Sequence, residues 1–158
     1  MNFIVSFLAS FFLFFQTNLE SIRNSYAKAN SSTTSTQNFI TIAEKETGSD
    51  PVILGYKAAA QIMQAKITKQ NRKSLVKTGA THLESLIKSN PNNIELRVIR
   101  LSIQENLPKI VGYRGSLKED KNFILNNYAQ QNPSLKNYIK RFVMQSKTIS
   151  DSEKATLK

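Results

Sequence analysis

Apolar side chains recur along most of this chain at three- and four-residue spacing, the period of helices that bury one face. Ile53, Tyr56, Ala60, Met63 and Ile67 form such a stripe over residues 51–69. Asp50-Pro51 supplies its start, an N-cap followed by proline at the first helical position. Leu75, Gly79, Leu83, Leu86 and Ile87 predict a second helix over 72–89, stopped at Asn90-Pro91. Upstream, Leu19, Ile22 and Tyr26 predict a helix over 19–29. Phe39, Ile42 and Ala43 predict one over 36–46, closed by Gly48, with the Ser/Thr-rich stretch 30–36 read as a linker. Downstream, Ser116-x-x-Glu119 reads as a capping box opening a helix to about residue 131. Asn132-Pro133 opens the next, where Leu135, Tyr138, Ile139, Phe142 and Val143 keep helical spacing. Ser150-x-x-Glu153 opens a short last one. No stretch sustains the period-two alternation of a strand.

Residues 93–106 depart from the single-stripe pattern. Asn92 is read as the cap, with Glu95 as its reciprocal partner. At about 100° per residue, Ile94, Val98 and Leu101 fall on one side of the helix and Leu96, Ile99 and Ile103 on the other. A helix apolar on two faces is packed on both, so this one is predicted to lie at the centre of the domain. Pro108 ends it, and 109–115 is read as a loop. The expected fold is all-α, with antiparallel helical hairpins and about seven helices, either tetratricopeptide-like or an irregular bundle.

One apolar run stands apart. Residues 3–15 are almost wholly Phe, Leu, Ile, Val and Ala, and as a helix would extend only about 20 Å. That is short of the roughly 20 residues needed to span a hydrocarbon core of about 30 Å. It fits the core of a secretory signal, although no basic residue precedes it and no small-x-small triplet follows closely. Ala27-Lys28-Ala29 has that shape but lies far downstream. The alternative is a buried helix, which the apolar residues on all faces of the run argue against. The domain reading is a signal peptide over 1–16 and a single helical domain over 17–158, exported to the periplasm or beyond, with no transmembrane span once the leader is removed.

Composition sharpens this picture mainly by exclusion. The chain has no cysteine, hence no disulfide, thiolate metal site, thiol nucleophile or lipid-modified cysteine. It has one histidine, His82, without the partners that a catalytic triad or a histidine metal cluster needs, and His82 is read as a surface or boundary residue. No phosphate-binding P-loop, H-E-x-x-H or G-x-S-x-G is present. Neither a catalytic set, a metal site nor a cofactor is expected. The net charge is +11, from 22 basic and 11 acidic residues. Such a surplus favours an anionic partner, whether acidic lipid, polysaccharide, nucleic acid or an acidic protein, without choosing among them.

Two groups of residues are candidate binding sites. Arg97, Arg100 and Gln104 form a polar strip between the two apolar faces of the central helix. Guanidinium groups there either bind an anion or carboxylate ligand bidentately, or are paired internally with Glu105, Glu119, Asp120 or helix C-terminal carbonyls. The second group lies between Lys57 and Lys77, six basic residues with no acid among them. Lys66, Lys69, Arg72 and Lys73 cluster around the turn between two helices, either as a contact for phosphate or an acidic surface or as an ordinary solvated turn. Gly112-Tyr113-Arg114-Gly115 spells the G-x-x-G of a nucleic-acid clamp, but that fold needs flanking strands.

Residues 79–101 resemble the joint between two tetratricopeptide repeats. Gly79 stands at the small position, Leu83 at a large apolar one, and Pro91 ends the helix before Asn92-Asn93-Ile94-Glu95-Leu96 opens the next. The likeness then fails, since Arg97, Arg100 and Leu101 occupy positions that want other residue types. The run from Asn90 to Arg97, followed by Arg100-Leu101-Ser102-Ile103-Gln104-Glu105-Asn106 and Pro108-Lys109, is similar to a group of short, uncharacterised exported proteins of Bacteroidota. That resemblance implies an exported helical protein and carries no activity with it. The function expected is non-enzymatic binding of another protein of the cell envelope, across a concave face lined by the central helix. Binding of an anionic surface through the Lys57–Lys77 cluster is the alternative.

Overall fold

Polar side chains at the helix ends set the element boundaries. The computed structural model describes residues 19–157. Helix α1 covers residues 19–28, followed by α2 (Thr33–Lys45), α3 (Pro51–Ile67), α4 (Arg72–Ser89), α5 (Ile94–Asn106), α6 (Leu117–Asn127), α7 (Pro133–Gln145) and α8 (Asp151–Lys154). Single 3-10 turns at Lys109–Val111 and Tyr128–Gln130 complete the chain. The architecture is an all-α bundle with no strand among the described residues. The apolar run 3–15 lies outside the described residues. None of the described helices is long and apolar enough to cross a membrane.

Several expected caps form. The Asp50 carboxylate accepts from the backbone of Val52 and Ile53 ahead of Pro51. Asn132 accepts from Leu135, and Ser150 with Glu153 closes a reciprocal box. Others differ. The stretch 30–36 is not a linker: Ser32 caps α2 by accepting from Ser35, so the helix starts at Thr33. The α5 cap is Asn93, which accepts from Glu95 and Leu96. Glu95 does not reach back to Asn92, because its carboxylate is held by Arg23 and Tyr56. The Ser116 side chain makes no capping bond, and Glu119 is bound instead to Arg97. At Glu95 and Glu119 a long-range charge pair takes the carboxylate that the local box would have used, charge-assisted bonds being the stronger.

The central helix is as its two apolar faces predict. Every residue of α5 from Ile94 to Glu105 is buried, enclosed by α3, α4, α6 and α7. Helices α3 and α4 pack along one another, joined by the turn 68–71. Their close approach depends on Gly79, where an added Cβ would lie 2.7 Å from the Ala58 carbonyl and 2.6 Å from the Ile62 side chain. A second aromatic focus joins α1, α2 and α3. The rings of Tyr26, Phe39 and Tyr56 sit with centroids 4.9 to 6.4 Å apart in tilted and edge-on arrangements, each pair adding about 0.5–1.5 kcal/mol beyond area burial.

Helix α1 is part of this core. Ile22 and Ala29 are fully buried and Tyr26 nearly so. The Arg23 guanidinium meets Glu95 through two bonds of 2.7 and 2.5 Å. The same carboxylate accepts from the Tyr56 hydroxyl at 2.7 Å, and Tyr56 also contacts the Tyr138 hydroxyl at 3.0 Å. One buried carboxylate thereby links α1, α3, α5 and α7. Burial, reinforced by the Glu95 charge, pushes the Tyr56 and Tyr138 phenols well above their ordinary range.

Candidate binding site

The polar strip of α5 faces carboxylates. Asp120, fully buried on α6, accepts from Arg100 Nε and Nη2 at 2.7 Å each and from Arg97 Nη1 at 3.2 Å. Arg100 Nη1 reaches Glu84 of α4 at 2.6 Å, and Arg97 Nη1 is bound to Glu119. The Phe123 ring lies 5.0 Å from the Arg97 guanidinium carbon. Burial works against the Arg100 charge, but the Asp120 bond and the charges of Asp120 and Glu84 raise its pKa overall. Burial pushes the Asp120 carboxyl up, opposed by both guanidinium groups. The bond from Arg97 holds the Glu119 carboxyl below the usual range. Gln104 is also engaged internally, since its side-chain oxygen accepts from Ser116 N at 3.1 Å. Arg97, Arg100 and Gln104 therefore hold α4, α5, α6 and the loop 107–116 together. Arg97, Arg100 and Gln104 line neither of the hollows that α5 borders, which are reached by Ser102, Ile103, Glu105 and Asn106 near its C-terminal end.

The second expected group lies on a groove. Lys66, Arg72 and Lys73 border an open depression of about 1050 Å³ between α3, α4 and the loop after α5. Lys69 is exposed in the turn and lies outside its walls. The floor is apolar, with Ile62 and Ala65 from α3 and Val76 and Ala80 from α4. The facing wall is Leu107, Pro108, Ile110 and Val111. Ile110 is 96% exposed and Val111 40% exposed, so this wall leaves large apolar side chains in water. They face the apolar floor across an open groove.

The wall is held in place. Gly112 takes φ 75°, a left-handed conformation that closes the 3-10 turn and that residues with a Cβ rarely adopt. The Tyr113 hydroxyl donates to Glu84 at 2.6 Å, and Arg114 donates to the Gln104 and Leu107 carbonyls at 2.6 and 3.2 Å. Burial first, then the Glu84 bond, push the Tyr113 phenol above its ordinary range. Glu84, the one carboxylate bordering the groove among the described residues, is already held by Arg100 and Tyr113. The basic rim is left without acidic partners. Among the described residues, none of Lys66, Arg72, Lys73 or Lys77 lies within ion-pair distance of a carboxylate. Arg72 and Lys66 meet only neutral acceptors, the Thr68 carbonyl and the Asn30 amide, both at 2.6 Å.

The remaining candidates scatter. His82 is exposed on α4 and borders a separate shallow hollow with Lys57, outside the groove. The G-x-x-G sequence forms the end of the groove wall rather than a turn between strands. Among the described residues, no three His, Cys, Asp or Glu side chains gather where they could hold a metal ion. Ile110, Val111, Tyr113 and Val76 are groove residues that the sequence reading did not select. The available signal was Ile110-Val111, two β-branched apolar residues in a loop bounded by Pro108 and Gly112. No family model, curated protein or solved structure matches this chain. The site is accordingly read from its own chemistry.

Proposed function

We propose that this is an exported, non-enzymatic binding module whose groove takes an acidic, amphipathic segment of another protein of the cell envelope. One observation carries the reading: an apolar groove ringed by four basic side chains with no acidic partner. An apolar segment alone would leave that rim unmatched, and a purely anionic one would leave Ile110, Val76 and Ala80 in water. A segment with carboxylates beside an apolar face satisfies both. Export is supported by the apolar run 3–15. Because Ile22, Arg23 and Tyr26 belong to the core, this reading places removal of the leader before residue 19, and N-terminal sequencing of the exported protein checks it.

Selection of a random peptide display library on the purified full chain tests the binding reading. Enriched peptides should carry Asp or Glu on either side of two or more apolar residues. Val76→Glu should abolish their binding. Neutralising Lys73 and Lys77 should weaken it by about fivefold each, the scale of exposed charge pairs, and more steeply at low salt. Enriched peptides without acidic residues, or binding indifferent to Val76→Glu, would refute the groove as the site. The second reading, an anionic surface bound by Lys66, Lys69, Arg72 and Lys73, is favoured by the same unpaired cations. It predicts retention on acidic lipid vesicles that is lost on neutralising those four residues and untouched by Val76→Glu.

A further inference from the structure

The groove does not end at Lys66. Ile62, Lys66 and Leu107 border both it and a small saddle of about 20 Å³ between α1, α3 and α5. Tyr26, Asn30, Ser102 and Asn106 border both that saddle and a further cleft of about 400 Å³ between α1, α5 and α7. Groove, saddle and cleft thus share lining residues in sequence.

The charge pattern of the groove continues into the cleft. Lys28, Arg141 and Lys147 border the cleft, and among the described residues none of them reaches a carboxylate. Arg141 donates to the Asn24 amide oxygen at 3.2 Å and Lys147 to that of Asn106 at 2.9 Å. Glu105, the cleft's one acidic side chain, already accepts from Ser146 Oγ and, at 2.9 Å, from Thr148 N. Phe142, Tyr26 and Tyr138 give the cleft aromatic walls. Lys66 borders the saddle and donates to the Asn30 amide oxygen at 2.6 Å, while Lys147 borders the cleft beyond it. Burial, then the Lys147 charge, lower the Lys66 pKa.

We propose that groove, saddle and cleft together bind, as one track, one extended acidic segment of the partner protein, with carboxylates meeting Lys66 at the saddle and Arg141 and Lys147 at the cleft, and an apolar side chain in the cleft beside Phe142. This rests on the groove reading above and adds the path and polarity of the bound chain. An extended chain rises about 3.3 Å per residue and alternates its side chains. Alternating acidic and apolar residues therefore present carboxylates to the basic edge and apolar groups to the floor.

Two labelled peptides test it on the purified full chain by fluorescence anisotropy: an 8-residue alternating Glu/Leu peptide, and a 16-residue peptide of the same pattern ending in Phe. The long peptide should bind at least about tenfold tighter, because its second half engages at high effective concentration. The double variant R141Q/K147Q changes two exposed side chains outside the groove. It should reduce the long peptide to the affinity of the short one and leave the short one unchanged. Equal affinities of the two peptides, or a long peptide indifferent to R141Q/K147Q, would overturn the track while the groove stands, provided Val76→Glu still abolishes short-peptide binding. Binding of both peptides indifferent to Val76→Glu, or absent altogether, would overturn the groove and the track together. A 20-nucleotide single strand that outcompetes the long peptide and is lost in R141Q/K147Q would assign the track to a polyanion and contradict the proposal.

Discussion

Glu95 shows how single residues hold this fold. It lies on the central helix with 2% exposure and receives two bonds from Arg23 and one from Tyr56. Removing one partner of a buried pair leaves the other charge uncompensated, at a cost of about 3 kcal/mol or more. Arg23→Met is therefore expected to lower stability by about 3 kcal/mol, roughly 10 °C in melting temperature for a chain of this size. Replacing both partners, Arg23→Met with Glu95→Leu, should recover most of it. Thermal denaturation followed by circular dichroism measures both, and a loss below about 1 kcal/mol in the single variant would mean that Tyr56 alone satisfies Glu95. Little of this network was legible in the sequence. Arg97 and Arg100 stood out as a polar strip, and Glu119 and Asp120 were already candidates for pairing with them. The Arg23–Glu95 pair joins residues 72 positions apart, and no local spacing signals it. The lost capping roles of Glu95 and Glu119 have the same origin, since a local motif cannot register a distant guanidinium.

Helices were the most legible level, because periodicity is a local property. The two apolar faces of residues 93–106 predicted a central helix, and α5 is buried on every side. Gly79 shows what periodicity leaves out. The spacing puts it on the buried face of α4 but does not say what it meets, which is the α3 backbone. Gly→Ala ordinarily gains about 1 kcal/mol of helix propensity. Here the new methyl would meet the Ala58 carbonyl, a backbone atom that cannot rotate away. With an overpacking cost of about 1–3 kcal/mol, Gly79→Ala should destabilise by roughly 1–2 kcal/mol net. At Gly55 the nearest atoms are the side-chain ends of Leu96 and Ile99, which can shift, so Gly55→Ala should cost less. Urea denaturation of the two variants decides the order. A neutral or stabilising Gly79→Ala would mean that α3 and α4 lie farther apart than the geometry here.

At the scale of the whole molecule, the surplus of basic residues divides by environment. Arg23, Arg97 and Arg100 are consumed inside, each against a carboxylate, while the rim of the groove and the cleft beyond it keep their charge unmatched. The sequence showed the Lys57–Lys77 cluster and its lack of acids but not the surface it borders. The opposite wall, Ile110 to Tyr113, is a loop without periodicity, and only folding brings it across from α4. The central claim is that an acidic, amphipathic segment binds between that wall and α4. Amide chemical-shift mapping of the full chain with the 8-residue Glu/Leu peptide tests it most directly. The account predicts saturable shifts centred on Val76, Ala80, Ile110, Val111 and Tyr113, with α2 and α6 unmoved. Shifts absent from those five residues, or centred instead on the exposed turn around Lys69, would contradict it.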